Sequence, residues 1–179
     1  VYKKSIENIM PYKEKLNQPI DVINFYEQWT DRGLEFSGKS FQANRTTNVI
    51  DMFNYFINTI GINENQSILD AGCGVGGPLL YFAQNISATF TGINISPYQI
   101  LKAKQFLNEN TNPLKGKVNF VEGDYHNLSS LFPEQSFDHV MFFGSSGHTN
   151  NPRKLIREVY TVLKEGGHLY IKDCYRKLS

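Results

Sequence analysis

The sequence predicts an α/β fold in which a parallel sheet carries helices on both faces, preceded by an N-terminal helical cap. Two observations predict it. After Gly61 short apolar runs alternate with amphipathic helical segments, and repeated strand-helix units that bury both faces of each strand form parallel sheets. Several runs also end in glycine or polar residues, and an open parallel sheet keeps its ligand site at such strand ends.

Taken in order, Asn44 to Ile60 places Val49, Ile50, Phe53, Phe56, Ile57 and Ile60 at helical spacing, an apolar stripe that must dock. Ahead of it, Phe25, Tyr26, Trp29, Phe36 and Phe41 mark a polar and aromatic cap, helical or irregular, with no core of its own. Strands are expected at Ser67 to Ala71, Thr89 to Ile93, Val118 to Glu122, Phe137 to Phe143 and His168 to Asp173. Helices are expected at Pro78 to Gln84 and at Pro97 to Asn108, the latter with Ser96 as N-cap and Pro97 at its first position. A last helix starts at Asn151 and Pro152, carries Leu155, Ile156, Val159 and Leu163, and stops at Gly166 and Gly167.

At 179 residues the chain is long enough for one well-buried domain. The organisation expected is a cap over 1–60 and a ligand-binding domain over 61–179, incomplete at its C-terminal end. Eighteen basic residues stand against seventeen acidic ones, so no broad field draws the chain to nucleic acid or anionic membranes. Cys73 and Cys174 show neither metal-ligand nor disulfide spacing, which suits a reducing, cytoplasmic setting. No apolar run approaches the roughly 20 residues a membrane span needs.

The first strand end reads Asp70-Ala71-Gly72-Cys73-Gly74-Val75-Gly76-Gly77. Its glycines permit a sharp turn and let a ligand approach bare backbone. Gly72, Gly74 and Gly77 also satisfy a dinucleotide fingerprint, and a tight turn with no ligand has the same glycines. Asp70 discriminates: a carboxylate there suits a cationic amino group and repels a pyrophosphate. The lack of a Gly-Lys-Ser/Thr ending removes a nucleotide-triphosphate cradle.

On these residues the chain resembles the class I S-adenosylmethionine methyltransferases, and Leu69 to Pro78 is especially similar to the small-molecule branch of sterol and tocopherol methyltransferases and cyclopropane-fatty-acid synthases. The resemblance covers Gly61 to Asp173. It implies a Rossmann-like domain, S-adenosyl-L-methionine as cofactor, no metal, and methyl transfer to a small, lipid-like or aromatic acceptor. The usual sheet has seven strands; five are legible here, and the final two are expected to be absent.

The resemblance implies further site residues. Asn94 stands where the family usually places an acid for the ribose hydroxyls; an amide makes such bonds without charge. Ile95 lies beside it. Gln99 matches a ribose contact, or else is a capping-box partner of Ser96. Asp124 is implied to accept from the adenine amine with Tyr125 beside the ring, and a solvated loop acid is the alternative. Phe143 is carried as a cofactor contact, although Phe142 and Phe143 also suit a core strand. After the fourth strand, Gly144 or Ser145 replaces an acid frequent in the sterol-type pattern, which argues against sterol-like chemistry. His148 is then the candidate base or polar contact, and Tyr26 a candidate from the cap; each also has an ordinary packing explanation. A non-catalytic cofactor-binding module and an NAD-dependent oxidoreductase remain as rivals, the latter lacking a strand-end acid near position 94.

Overall fold

The computed structural model describes residues 18–40 and 48–173. Five parallel strands form one sheet: β1 (Ser67–Ala71), β2 (Thr89–Asn94), β3 (Lys117–Glu122), β4 (Phe137–Phe143) and β5 (Leu163–Lys172), in the order β3-β2-β1-β4-β5. Five strands are thus present among the described residues, with β1 at the centre between β2 and β4.

Alternation along the strands builds two cores, because successive side chains leave opposite faces. Ile68, Met141 and Phe143 join one cluster, which packs under α2 (Val49–Ile60), α3 (Gly77–Asn85) and α4 (Pro97–Asn108). Leu69, Val140 and Phe142 join the other, under α5 (Leu128–Leu131) and α6 (Pro152–Val162). The predicted two-sided cover is therefore present.

Within the expected cap, the described residues form a 19-residue helix, α1 (Pro19–Ser37), followed by a 3-10 turn over Gly38–Ser40. It fully buries Thr30. Side-chain bonds fix it to the body: Tyr98 donates to Asp31 at 2.8 Å, and Lys102 approaches the same carboxylate at 3.6 Å.

α2 begins at Val49, with the Asn48 side chain accepting from the amides of Ile50 and Asp51. Of the predicted helical stretch, positions 44–47 lie outside the described residues, as do Phe41 and Cys174. Ile50, expected in the buried stripe, is exposed instead.

The last predicted helix needs correction. It ends at Val162, and Leu163 already pairs with Phe137 as the first residue of β5. The next paired residues are His139 and His168, so positions 164–167 bulge from the ladder. Gly166 takes φ +75° there, and a Cβ on Gly167 would press on carbonyl oxygens of Lys164 and Asp138. The two glycines make a bulge rather than a helix stop because Leu163 packs into the second core. Ile156 points outward, exposed.

Candidate functional site

The carboxyl ends of β1 to β4 converge beneath α1 on a cleft. Each wall has a local cause. At the end of β1, Gly72, Gly74 and Gly76 adopt φ +86°, +57° and +77°, a left-handed series that L side chains rarely adopt. The bend is pinned by Gly72 N–H and Cys73 N–H, which both donate to Ile93 O at 2.8 and 3.0 Å. The next loop closes against it: Ser145 Oγ donates to Ala71 O at 2.5 Å, and Tyr125 Oη donates to Ser145 O at 3.1 Å. A Cβ on Gly72 would lie 2.4 Å from Ser145 Cβ, so glycine is needed there for the approach of two loops.

Asp70 is 1% exposed and its Oδ1 has no hydrogen-bond partner. Burial raises its pKa from 3.8 to about 7. Burial, and then Asp70 itself, push the neighbouring Cys73 thiol up as well. An unpartnered buried carboxyl carries a desolvation cost that a positively charged donor would relieve.

At the end of β2, Asn94 Nδ2 donates to Gln99 Oε1 at 2.5 Å, and Gln99 Nε2 donates to Thr30 Oγ1 at 2.9 Å. Ser96 caps α4 as expected, its hydroxyl accepting from Gln99 N. The capping-box alternative for Gln99 is not realised, because the Ser96 amide approaches Asn94 Oδ1 at 3.4 Å and the Gln99 side chain serves Asn94 and Thr30.

Asp124 follows β3 and accepts from both the backbone N–H and Nδ1 of His126, each at 2.8 Å. It is a locally bonded carboxylate, not a freely solvated one. Tyr125 contacts Phe142 edge-on at 5.5 Å, and burial, followed by Asp124, raises its phenol pKa.

At the end of β4, a 3-10 turn over Ser146–His148 carries the imidazole under the cap, where His148 Nε2 lies 2.7 Å from Tyr26 Oη. Burial, with a smaller contribution from Asp173, pushes the Tyr26 phenol up to about 12. Asp173, just past β5, holds this turn: its Oδ2 accepts from Ser146 Oγ at 2.8 Å and from Gly147 N at 2.7 Å.

Among the sequence-predicted residues, Tyr26, Gly72, Asn94, Ile95, Gln99 and Asp124 line the cleft. Tyr125 and His148 line it as well. Asp70, Gly74 and Phe143 do not. The Phe143 ring is a correction: it stacks on Phe56 at 4.7 Å and is 4% exposed, because its strand position points it into the first core. Thr30 and Asp173 were missed. Asp173 was legible as a polar residue ending a strand, whereas nothing local marks Thr30.

Among the described residues the lining contains no lysine or arginine. A pyrophosphate would find no cation there, while a ligand with a positive amino group would meet no repulsion. No group of three or more His, Cys, Asp or Glu side chains that could hold a metal occurs among the described residues, and no described helix is long and apolar enough to cross a membrane.

The family model described as a methyltransferase domain matches residues 69–171. The chain belongs to this methyltransferase family. Curated relatives of the chain include a sterol 24-C-methyltransferase of Kluyveromyces lactis, 34% identical over 161 residues, or 87% of this chain and 41% of that protein. A cycloartenol-C-24-methyltransferase of Arabidopsis thaliana is 31% identical over 87% of this chain and 45% of that protein. The chain thus spans less than half the length of these relatives. Among solved structures, the [4+2]-cyclase SpnF superposes with a TM-score of 0.72 over 87% of this chain and 60% of that one at 22% identity, a likeness of fold. The likeness in sequence to sterol-type relatives holds with Gly144 or Ser145 in place of the acid.

Proposed function

We propose that the chain binds S-adenosyl-L-methionine in the cleft under α1 and transfers its methyl group to a small, lipid-like acceptor. The observation that carries the reading is Asp70: a buried carboxyl with one oxygen unpartnered, at the strand end that opens the glycine bend. Its charge suits the α-amino group of the cofactor, and a lining without lysine or arginine among the described residues supports the same choice over a dinucleotide. The neutral amide of Asn94, with Ile95 beside it, is assigned to the ribose, and Asp124 with Tyr125 to the adenine. Gly72 and Gly74 are assigned to backbone contact. Phe143 serves behind the site as core, and positions 1–60 act as cap to the binding domain over 61–179.

When bound, the cofactor supplies an activated methyl on a positive sulfur, so the carbon-sulfur bond breaks as the acceptor's electron pair attacks and the sulfur keeps the bonding pair. The chain's residues orient and shield. Tyr26 and His148 are assigned to the acceptor end, where the imidazole takes the proton that the methylated acceptor releases and the Tyr26 hydroxyl fixes the ring. Holding reactants in line and excluding water accounts for the larger part of the rate.

The names of the relatives support a sterol-like acceptor, and the apolar Pro19 and Val22 in the lining suit one. A buried free thiol at Cys73 supports a reducing, cytoplasmic setting. Calorimetry with S-adenosylhomocysteine tests the cofactor: binding is expected, and a folded chain that does not bind overturns the reading. Labelled methyl donor with sterol and other lipid-like acceptors then tests transfer; binding without transfer to any acceptor favours the non-catalytic module.

A further inference from the structure

Thr30, Gln99 and Asn94 are 0%, 1% and 7% exposed and form one buried line of hydrogen bonds from the cap to the end of β2. The sense of the line is set at the cap. Thr30 Oγ1 donates its hydrogen to Tyr26 O at 2.5 Å, so its lone pairs must accept, and they take Gln99 Nε2 at 2.9 Å. Gln99 is thereby oriented with Oε1 toward Asn94, whose Nδ2 donates at 2.5 Å. Asn94 is left with its Oδ1 toward the remaining side, where the Ser96 amide approaches at 3.4 Å, a weak claim on that oxygen. Reversing either amide would set like groups against each other in a buried space, at the cost of unmade bonds.

We propose that Thr30 is a positioning residue for cofactor binding: through Gln99 it fixes the Asn94 amide so that Oδ1 accepts from the ribose hydroxyls. The inference rests on the cofactor reading above. Docking of α1 and binding of the ribose are then coupled, and the coupling acts equally in both directions. A bound cofactor holds the cap down, and a docked cap presents the ribose with an acceptor already oriented. Gln99 acts through Asn94 and does not itself need to reach the sugar.

Calorimetry of the full chain with S-adenosylhomocysteine tests this with Thr30→Val, Asn94→Ala, the double variant and Thr30→Ser, each checked for folding by its thermal transition. Thr30→Val is expected to weaken binding about tenfold, the size of one lost buried hydrogen bond. Thr30→Ser should stay within about twofold of wild type, because it keeps the hydroxyl. The double variant should bind no more weakly than Asn94→Ala alone, since both changes break one line. Wild-type affinity in folded Thr30→Val, or losses that multiply in the double variant, overturns the inference alone. A wild-type chain that fails to bind overturns both readings. Should Thr30→Val not fold, amide exchange answers the same question from the other end. Saturating ligand is expected to slow exchange in α1 of wild type about tenfold and to have little effect in Asn94→Ala; equal slowing in both overturns the inference.

Discussion

Tyr26 Oη and His148 Nε2 meet at 2.7 Å across 122 positions of sequence, with their rings edge-on and 5.4 Å between centroids. With the phenol pushed up to about 12, the hydroxyl stays neutral throughout the neutral range and its oxygen can accept from Nε2–H, the tautomer in which the imidazole keeps at Nδ1 the lone pair its role as base requires. Tyr26→Phe is expected to lower kcat for methyl transfer by about tenfold or more while leaving the thermal transition nearly unchanged. Wild type should show no loss of rate from Tyr26 ionisation up to about pH 9, since the folded pKa lies well above it. Initial rates with labelled methyl donor measure both, and an unchanged kcat in the phenylalanine variant removes Tyr26 from the reaction.

Asp70 sets a pH dependence. Its folded pKa of about 7 exceeds the ordinary 3.8, so between those values the folded chain retains a proton that the unfolded chain has released. Stability therefore falls as pH rises through that window and levels off above it. Asp70→Asn should flatten the decline, leaving the variant more stable than wild type by on the order of 2 kcal/mol at pH 8 and similar near pH 4. Binding should run the opposite way: a positive amino group prefers the ionised carboxylate, so wild-type affinity for S-adenosylhomocysteine should tighten by up to about tenfold per unit from pH 5 to 7. Urea titrations and calorimetry across pH check the pair, and parallel pH profiles for wild type and Asp70→Asn would contradict the assignment.

Gly72→Ala strikes the same bend sterically. Its φ of +86° and the 2.4 Å approach of a new Cβ to Ser145 Cβ leave no room for relaxation without moving the fourth strand's loop. A loss of about 2–4 kcal/mol in urea unfolding is expected, accompanied by weaker cofactor binding. A stable alanine variant would mean that the two loops separate freely.

Phe143→Ala separates core from site. Removing a ring stacked on Phe56 at 4.7 Å should cost about 3–5 kcal/mol of stability. Cofactor affinity of the folded fraction should change by less than about threefold. A large affinity loss with intact stability would return Phe143 to the cleft wall.

The sheet was legible because its strands are buried on both faces: Ser67–Ala71 and Phe137–Phe143 read as apolar runs with polar or glycine ends, and their predicted and observed limits coincide. β5 was legible only from His168 onward, because Leu163 sits where a helical stripe and a strand make the same demand for an apolar residue. Helical spacing alone also placed Ile50 in a docked stripe, although it is exposed. Topology located the strand ends, whereas the roles expected there of Asn94 and Asp124 came from the family resemblance. Phe143 could not be resolved between core and cleft by type, since an aromatic side chain serves either. Thr30 was out of reach: its meaning depends on Gln99, 69 positions later, and no pattern near it differs from that of any exposed cap threonine.

The attachments of α1 also bear on the order in which the chain acquires its structure. Its links to the body at Gln99, Tyr98, Lys102 and His148 all come from segments much later in the sequence, so closing them requires long loops. With one fully buried side chain of its own, the helix has little reason to hold its place before β2 and β4 are assembled. α1 is therefore expected to settle after the sheet during refolding and to exchange its amides early, although it precedes the sheet in the sequence.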